Sequence, residues 1–193
     1  MCGIFGYKGM KNSFSVVFNG LKDLEYRGYD SWGIASLIDG EIKVVKKTGK
    51  IGEDFDEESV KSSISIGHTR WSTHGIPSDK NAHPHFSCDK KIAVVHNGII
   101  ENHDEIRARL KGHKFKSDTD TEVIAHLIEE YMKKYDYKEA VVKALGELEG
   151  SFALMILNSE REEIIAVRRG SPLVLGVKKE EFFLASDILA LLR

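Results

Sequence analysis

Two blocks of short strand-forming runs bracket three helical patterns, and this layout restricts the chain more than any one motif does. The first block holds CGIFGY at the start, SWGIASLI and EIKVV on either side of Asp39-Gly40, then SSISIGHT and KIAVV. The second holds SFALMIL, EIIAV, PLVLGV and EFFLAS ahead of a short helical tail. An Asp-Gly pair between apolar runs is a strong hairpin signal. KIAVV is predicted to stop at Asn97-Gly98, another turn dipeptide. Strands in two blocks around helices, with hairpin turns, predict an α+β sandwich of mainly antiparallel sheets.

The helices are read from spacing and caps. From Ser13, the residues Val17, Leu21 and Leu24 fall at helical intervals, predicting a helix to about Glu25. Asn102 with Glu105 suggests a cap for a short helix through Ile106 and Leu110. Thr119 with Glu122 reads as a capping box for a longer helix, with Val123, Ile124, Leu127, Ile128 and Tyr131 on its apolar face. YKEAVVKALGELEG is predicted as a third helix closed by Gly150.

Composition narrows the function class. At 193 residues and 41% hydrophobic content the chain can bury a sizeable core, and one domain is the default. A net charge of −2 gives no bulk attraction to nucleic acid or to an anionic membrane. No apolar run is long enough for a membrane span, and the start lacks the basic and apolar regions of a signal sequence. Two cysteines, Cys2 and Cys88, are too few for a disulfide scaffold. A cytoplasmic protein is expected, with neither a nucleic-acid nor a membrane partner.

Chemistry concentrates at strand ends and loops. Cys2 follows only Met1. It could simply open a buried strand; with Met1 removed it would carry a thiol and a free α-amine, a nucleophile and a base on one residue. With pKa values of about 8.5 and 7.7–8, the two groups can exchange a proton near neutrality. Alone, Asn97-Gly98 reads as a plain turn, Arg70 as a salt-bridge partner, and Asp120 as an acid at a helix start. His83, His85 and Cys88 suggest a metal, but lack the closed four-ligand spacing of a structural zinc site; loop histidines with ordinary partners, no metal and no cofactor are expected. No Gly-rich phosphate loop follows a strand.

Six ordered motifs carry a resemblance over essentially the whole chain: CGIFGY, LEYRGYDS, GHTRWSTHG, NAHPH, HNGIIEN and SDTDTEV. Together they resemble the glutaminase domain of the glutamine–fructose-6-phosphate aminotransferase (glucosamine-6-phosphate synthase) family, class II glutamine amidotransferases. That resemblance implies the N-terminal-nucleophile hydrolase fold, a four-layer αββα sandwich, over residues 2–193. It also implies hydrolysis of L-glutamine to glutamate and ammonia through a γ-glutamyl thioester on Cys2. Asn97 and Gly98 would form the oxyanion hole, Arg70 would hold the substrate carboxylate and Asp120 its ammonium. Trp71, Thr73 and His74 would supply pocket wall and polar contacts, while Arg27 and Gly28 would order the segment beside the nucleophile. Sugar-isomerase domains, partners in the full-length family enzymes, would lie downstream and are absent from these residues. Other class II amidotransferases share the terminal cysteine, and a catalytically silent glutamine-binding module is the non-enzyme alternative. Trp32 and Ser72 depart from the family pattern YDSAGIA and RWATHG, and the bulk of Trp32 implies different local packing.

Overall fold

The computed structural model describes residues 2–52, 60–72 and 76–192. Among these residues ten strands form two antiparallel sheets. The six-stranded sheet contains β1 (Gly3–Lys8), β2 (Ser31–Ile38), β3 (Glu41–Thr48), β4 (Ile64–Arg70), β9 (Val174–Lys178) and β10 (Glu181–Ala185), in the order β3-β2-β4-β1-β10-β9. The four-stranded sheet contains β5 (His85–Phe86), β6 (Ile92–Ile100), β7 (Gly150–Asn158) and β8 (Glu163–Arg169) in sequence order. Helix α1 (Ser13–Asp23) lies on the first sheet; α2 (His103–Arg109), α3 (Glu122–Met132) and α4 (Tyr137–Glu147) lie on the second.

Period-two side-chain alternation builds the four layers. Along β6, Ile92 and Val94 join the cluster under α3 and α4, whereas Ala93 and Val95 face the other sheet. Along β7, Phe152, Leu154 and Ile156 take the helical side; Ala153, Met155 and Leu157 take the inner one. In β1, Ile4 points between the sheets, while Phe5 and Tyr7 pack with Val17 and Leu21 of α1. Both faces of each central strand are therefore buried, which explains runs as continuously apolar as FALMIL. The predicted αββα sandwich is the observed one.

Local signals fared unevenly. The Asp39-Gly40 hairpin forms, with both residues at positive φ (51° and 78°) and Ile38 paired to Glu41. Asn97-Gly98 is no turn: β6 runs through it to Ile100, with Asn97 opposite Ala153 and Gly98 opposite Phe152. Gly98 sits at φ 130°, where a Cβ would fall on the Ser151 carbonyl oxygen, so only glycine lets β6 bend there and stay paired. Gly150 does not close α4, which ends at Glu147; it opens β7 at φ 108°. The first helix ends at Asp23, and a 3-10 turn at Glu25–Arg27 follows.

Both predicted caps of the middle helices are redirected. Asn102 places its side chain on Glu147 O (2.8 Å) and Glu149 N (3.1 Å), tying the α2 start to the α4 end. The Thr119 hydroxyl faces Ser117 Oγ (2.9 Å) and His85 Nε2 (3.0 Å), and α3 starts two residues later than the box predicts. Glu122 accepts from Lys116 N (2.8 Å) and Ser117 N (2.7 Å), so its carboxylate braces the loop ahead of α3. In each case a partner distant in sequence or a buried neighbour outcompetes the helix end. Trp32 is fully buried and meets the Phe18 ring edge-on at 5.5 Å, so its bulk fills the layer beneath α1.

Candidate active site

Cys2 lies just ahead of β1, beside the end of β4, because Gly3 pairs with Thr69. Register alone therefore places the thiol next to Arg70 and Trp71. The Trp71 backbone N–H donates to Cys2 Sγ at 3.3 Å. Two side chains grip the Cys2 carbonyl oxygen: Arg27 Nε donates at 3.1 Å and Asn97 Nδ2 at 3.0 Å. Asn97 reaches it from the other sheet, so Cys2 sits on the seam between the two.

The Arg27 guanidinium is fixed in turn by Asp187, whose Oδ2 accepts from its Nη1 at 3.0 Å and from the Tyr26 hydroxyl at 2.7 Å. Gly28 runs so close to the end of β4 that a Cβ would lie 2.6 Å from the Arg70 carbonyl carbon and 2.7 Å from Trp71 N. Asp30 continues this seam: its N–H donates to Arg70 O at 2.9 Å and its carboxylate accepts from Ser72 N at 2.9 Å. Asp30 and Asp187 were not singled out from the sequence. Asp187 ends the SD of FFLASD and Asp30 lies in the YDS of YRGYDS, and their partners are distant in sequence: Tyr26 and Arg27 for one, Arg70 and Ser72 for the other.

Charge is arranged around the thiol. Burial pushes the Cys2 thiol up, opposed by the Trp71 N–H and the Arg70 charge and reinforced by Asp120. Arg70, only 4% exposed, has its pKa lowered chiefly by burial, while the carboxylates of Asp120 and Asp30 favour its charge. Asp120 is itself 7% exposed and accepts from Ile100 N at 2.8 Å. A buried guanidinium and a buried carboxylate close to one thiol suit a zwitterion: each end of an amino acid would find its opposite charge. Trp71 is 45% exposed and stands edge-on to Tyr29 at 5.4 Å, leaving an indole face toward solvent. Thr73 and His74 lie outside the described residues.

Behind these groups lies a packed set of imidazoles. His83 and His85 belong here: His83 lies in the loop before β5 and His85 opens that strand, and both are buried, at 5% and 3% exposure. His83 stacks on His68 at 4.0 Å and its Nε2 meets Thr121 Oγ1 at 2.8 Å. His96 Nδ1 meets the same hydroxyl at 2.9 Å. Burial holds all four imidazoles below the ordinary histidine range, His68 at about 3. Arg70 pushes His68, His83 and His85 further down and Lys46 adds to this at His85, whereas Asp120 opposes at His96 and Glu122 at His85.

Unfolded imidazoles titrate near about 6.5. Below that pH the unfolded chain binds protons that the folded chain refuses, so stability is fully present above about pH 6.5 and is lost as pH falls. Each such imidazole contributes a slope of about 1.4 kcal/mol per pH unit. Denaturant midpoints measured from pH 7.5 to pH 5 should therefore drop steeply below pH 6.5. A flat profile would mean that these rings are not neutral in the fold.

Residues 68–193 match the family described as the glutamine amidotransferase domain. The whole chain is 50% identical to part of the glutamine–fructose-6-phosphate aminotransferase (isomerizing) of Clostridium acetobutylicum, covering 100% of this chain and 32% of that protein. Against the Pyrococcus horikoshii enzyme of the same name it is 51% identical, covering 33% of the relative. This chain thus spans about a third of the length of these curated relatives. Among solved structures, the glutamine phosphoribosylpyrophosphate amidotransferase from B. subtilis, in complex with ADP and GMP, superposes with a TM-score of 0.86 at 30% identity. That superposition covers 98% of this chain and 42% of the other. Two facing antiparallel sheets with the cysteine on their seam are thus the architecture of an N-terminal-nucleophile amidotransferase, and the chain belongs to the glutamine amidotransferase domain family.

Proposed function

We propose that residues 2–193 hydrolyse L-glutamine to glutamate and ammonia, and that downstream sugar-isomerase domains use the ammonia to convert fructose 6-phosphate to glucosamine 6-phosphate. The observation that carries the reading is the double grip on the Cys2 carbonyl. It fixes the residue from its C-terminal side and leaves the thiol and nitrogen for chemistry. The identity to the aminotransferases over the full chain favours the sugar-phosphate acceptor over other acceptors. A cytoplasmic setting accompanies it; among the described residues no helix is long and apolar enough to cross a membrane.

Arg70 binds the α-carboxylate of glutamine, Asp120 the α-ammonium, and Trp71 walls the side chain. Thr73 and His74 add the polar contacts that the motif assigns them. Because burial raises the Cys2 thiol, it enters the reaction protonated and needs a base. With Met1 removed, the Cys2 α-amine takes that proton while sulfur bonds to the γ-carbonyl carbon. The carbonyl π pair moves onto oxygen. That oxyanion is met by the second N–H of the Asn97 amide, whose first holds Cys2 O, and by the Gly98 backbone N–H. The ammonium passes its proton to the departing nitrogen, the C–N bond breaks, and a thioester remains. Water then adds to the thioester, the C–S bond breaks, and the thiol regains a proton as glutamate leaves.

The test supplies this chain with glutamine and fructose 6-phosphate together, and measures glutamate, ammonia and glucosamine 6-phosphate. Equal glutamate and ammonia without amino sugar is the expected result. No glutamate release from protein of verified mass lacking Met1 would leave only the silent binding module. Amino sugar from this chain alone would overturn the division of labour.

A further inference from the structure

On the far side of the second sheet, four side chains from three separate segments converge on one point. Cys88 comes from the β5–β6 connection, His113 from the α2–α3 connection, and His126 and Glu129 from successive turns of α3. One ligand atom from each lies within 4.8 Å of every other. Cys88 Sγ is 3.7 Å from His113 Nδ1 and 3.5 Å from His126 Nδ1. The two Nδ1 atoms are 3.2 Å apart, and Glu129 Oε2 is 2.9 Å from the first and 3.5 Å from the second.

Hydrogen bookkeeping makes this convergence informative. His113 Nε2 lies 2.9 Å from Glu130 Oε2, and His126 Nε2 faces Glu122 Oε1 at 3.5 Å. A carboxylate near each Nε2 favours the tautomer with its hydrogen there, which would turn each Nδ1 lone pair toward the cluster. In that tautomer two nitrogen lone pairs, a carboxylate oxygen and a sulfur face one another, a donor set that a cation can hold together.

Five of its six edges, 2.9–3.7 Å, lie near those of a tetrahedron around zinc, and the sixth, Cys88 Sγ to Glu129, is within 4.8 Å. Metal–nitrogen and metal–oxygen bonds of about 2.0–2.1 Å, with a metal–sulfur bond of about 2.3 Å, give edges of about 3.3 Å and 3.6 Å. The surroundings are those of a ligated metal. Glu130 holds the outer nitrogen of His113, Glu122 faces that of His126, Lys114 N donates to Cys88 Sγ at 3.4 Å, and Cys88 N donates to Glu129 Oε2 at 3.0 Å. One thiolate and one carboxylate would neutralise a divalent ion. Thiolate and imidazole ligands favour zinc over the hard, oxygen-seeking magnesium and calcium.

We infer that Cys88, His113, His126 and Glu129 form a closed, four-ligand structural zinc site that staples two loops to α3, the helix that follows Asp120. No spacing along the chain points to it. His83-x-His85, which looked like the partner of Cys88, instead turns to Thr121 and Thr119.

The test uses the Cys2→Ala chain, in which Cys88 is the sole thiol. The protein as purified is analysed for zinc, then stripped with a chelator and titrated with cobalt(II). One equivalent is expected to saturate it, giving a thiolate-to-cobalt charge-transfer band in the near ultraviolet and the intense visible absorption of four-coordinate cobalt, both abolished by zinc. Cys88→Ser should lose the charge-transfer band, and His126→Asn or Glu129→Gln should weaken binding about tenfold or more. If stripping unfolds the chain, one zinc per chain before stripping and refolding on zinc return support the site. A chain that stays folded but gives no charge-transfer band overturns it. So does a chain that unfolds without zinc having been present, or a spectrum left intact in His113→Asn.

Discussion

Cys2→Ala should reduce glutamate release from glutamine by on the order of 10⁴-fold or more, the scale seen when a covalent nucleophile is removed. The loss is chemical. The grip on residue 2 runs through its carbonyl oxygen, which alanine retains, so Arg27 and Asn97 keep their partner. What disappears is the sulfur beside Trp71 N and with it any thioester. Glutamine binding should survive, since Arg70 and Asp120 are untouched. The measurement pairs turnover with glutamine binding by calorimetry and with the thermal midpoint. Wild-type turnover would sink the nucleophile assignment, and loss of the fold would show Cys2 to be a packing residue.

Asn97→Ala should lower kcat by about 10² to 10³ with KM little changed, because an oxyanion donor acts in the transition state rather than on bound substrate. The residue has a second duty, since its amide also holds Cys2 O at 3.0 Å. A combined loss near the upper end of the range is therefore expected. A rise in KM with unchanged kcat would place Asn97 in ground-state binding and move the oxyanion site elsewhere. Asn97 is 6% exposed, so the thermal midpoint must be followed in parallel to separate chemistry from packing.

How much of this could be read beforehand depended on how local each signal was. Asp39-Gly40 works through its own two dihedral angles, and the hairpin formed as read. Asn97-Gly98 offers the same kind of dipeptide, but nine residues of pairing with β7 outweigh the turn tendency. Thr119 and Asn102 are good caps in isolation, yet each found a stronger partner: the buried His85 ring for one, the end of α4 for the other. The resemblance named the residues around Cys2, and the structure brings Arg27, Gly28, Arg70, Trp71 and Asn97 to it. It could not name Asp187, which reaches Arg27 across 160 positions. The Cys88 cluster was hidden for the same reason, with its ligands 25 and 38 residues apart in a spacing that no short pattern captures.

The way residue 2 is held has a consequence for how the protein matures. Arg27 and Asn97 contact only the carbonyl, and Gly3 onward is secured by pairing with β4. No contact in that grip distinguishes a primary amine from a peptide nitrogen. That grip is therefore blind to trimming: it would hold residue 2 alike with or without the initiator, whereas only a trimmed chain would carry a basic nitrogen on Cys2. On the proposed chemistry, folding and activation would be separate events, the second a single cleavage that frees the nitrogen of Cys2.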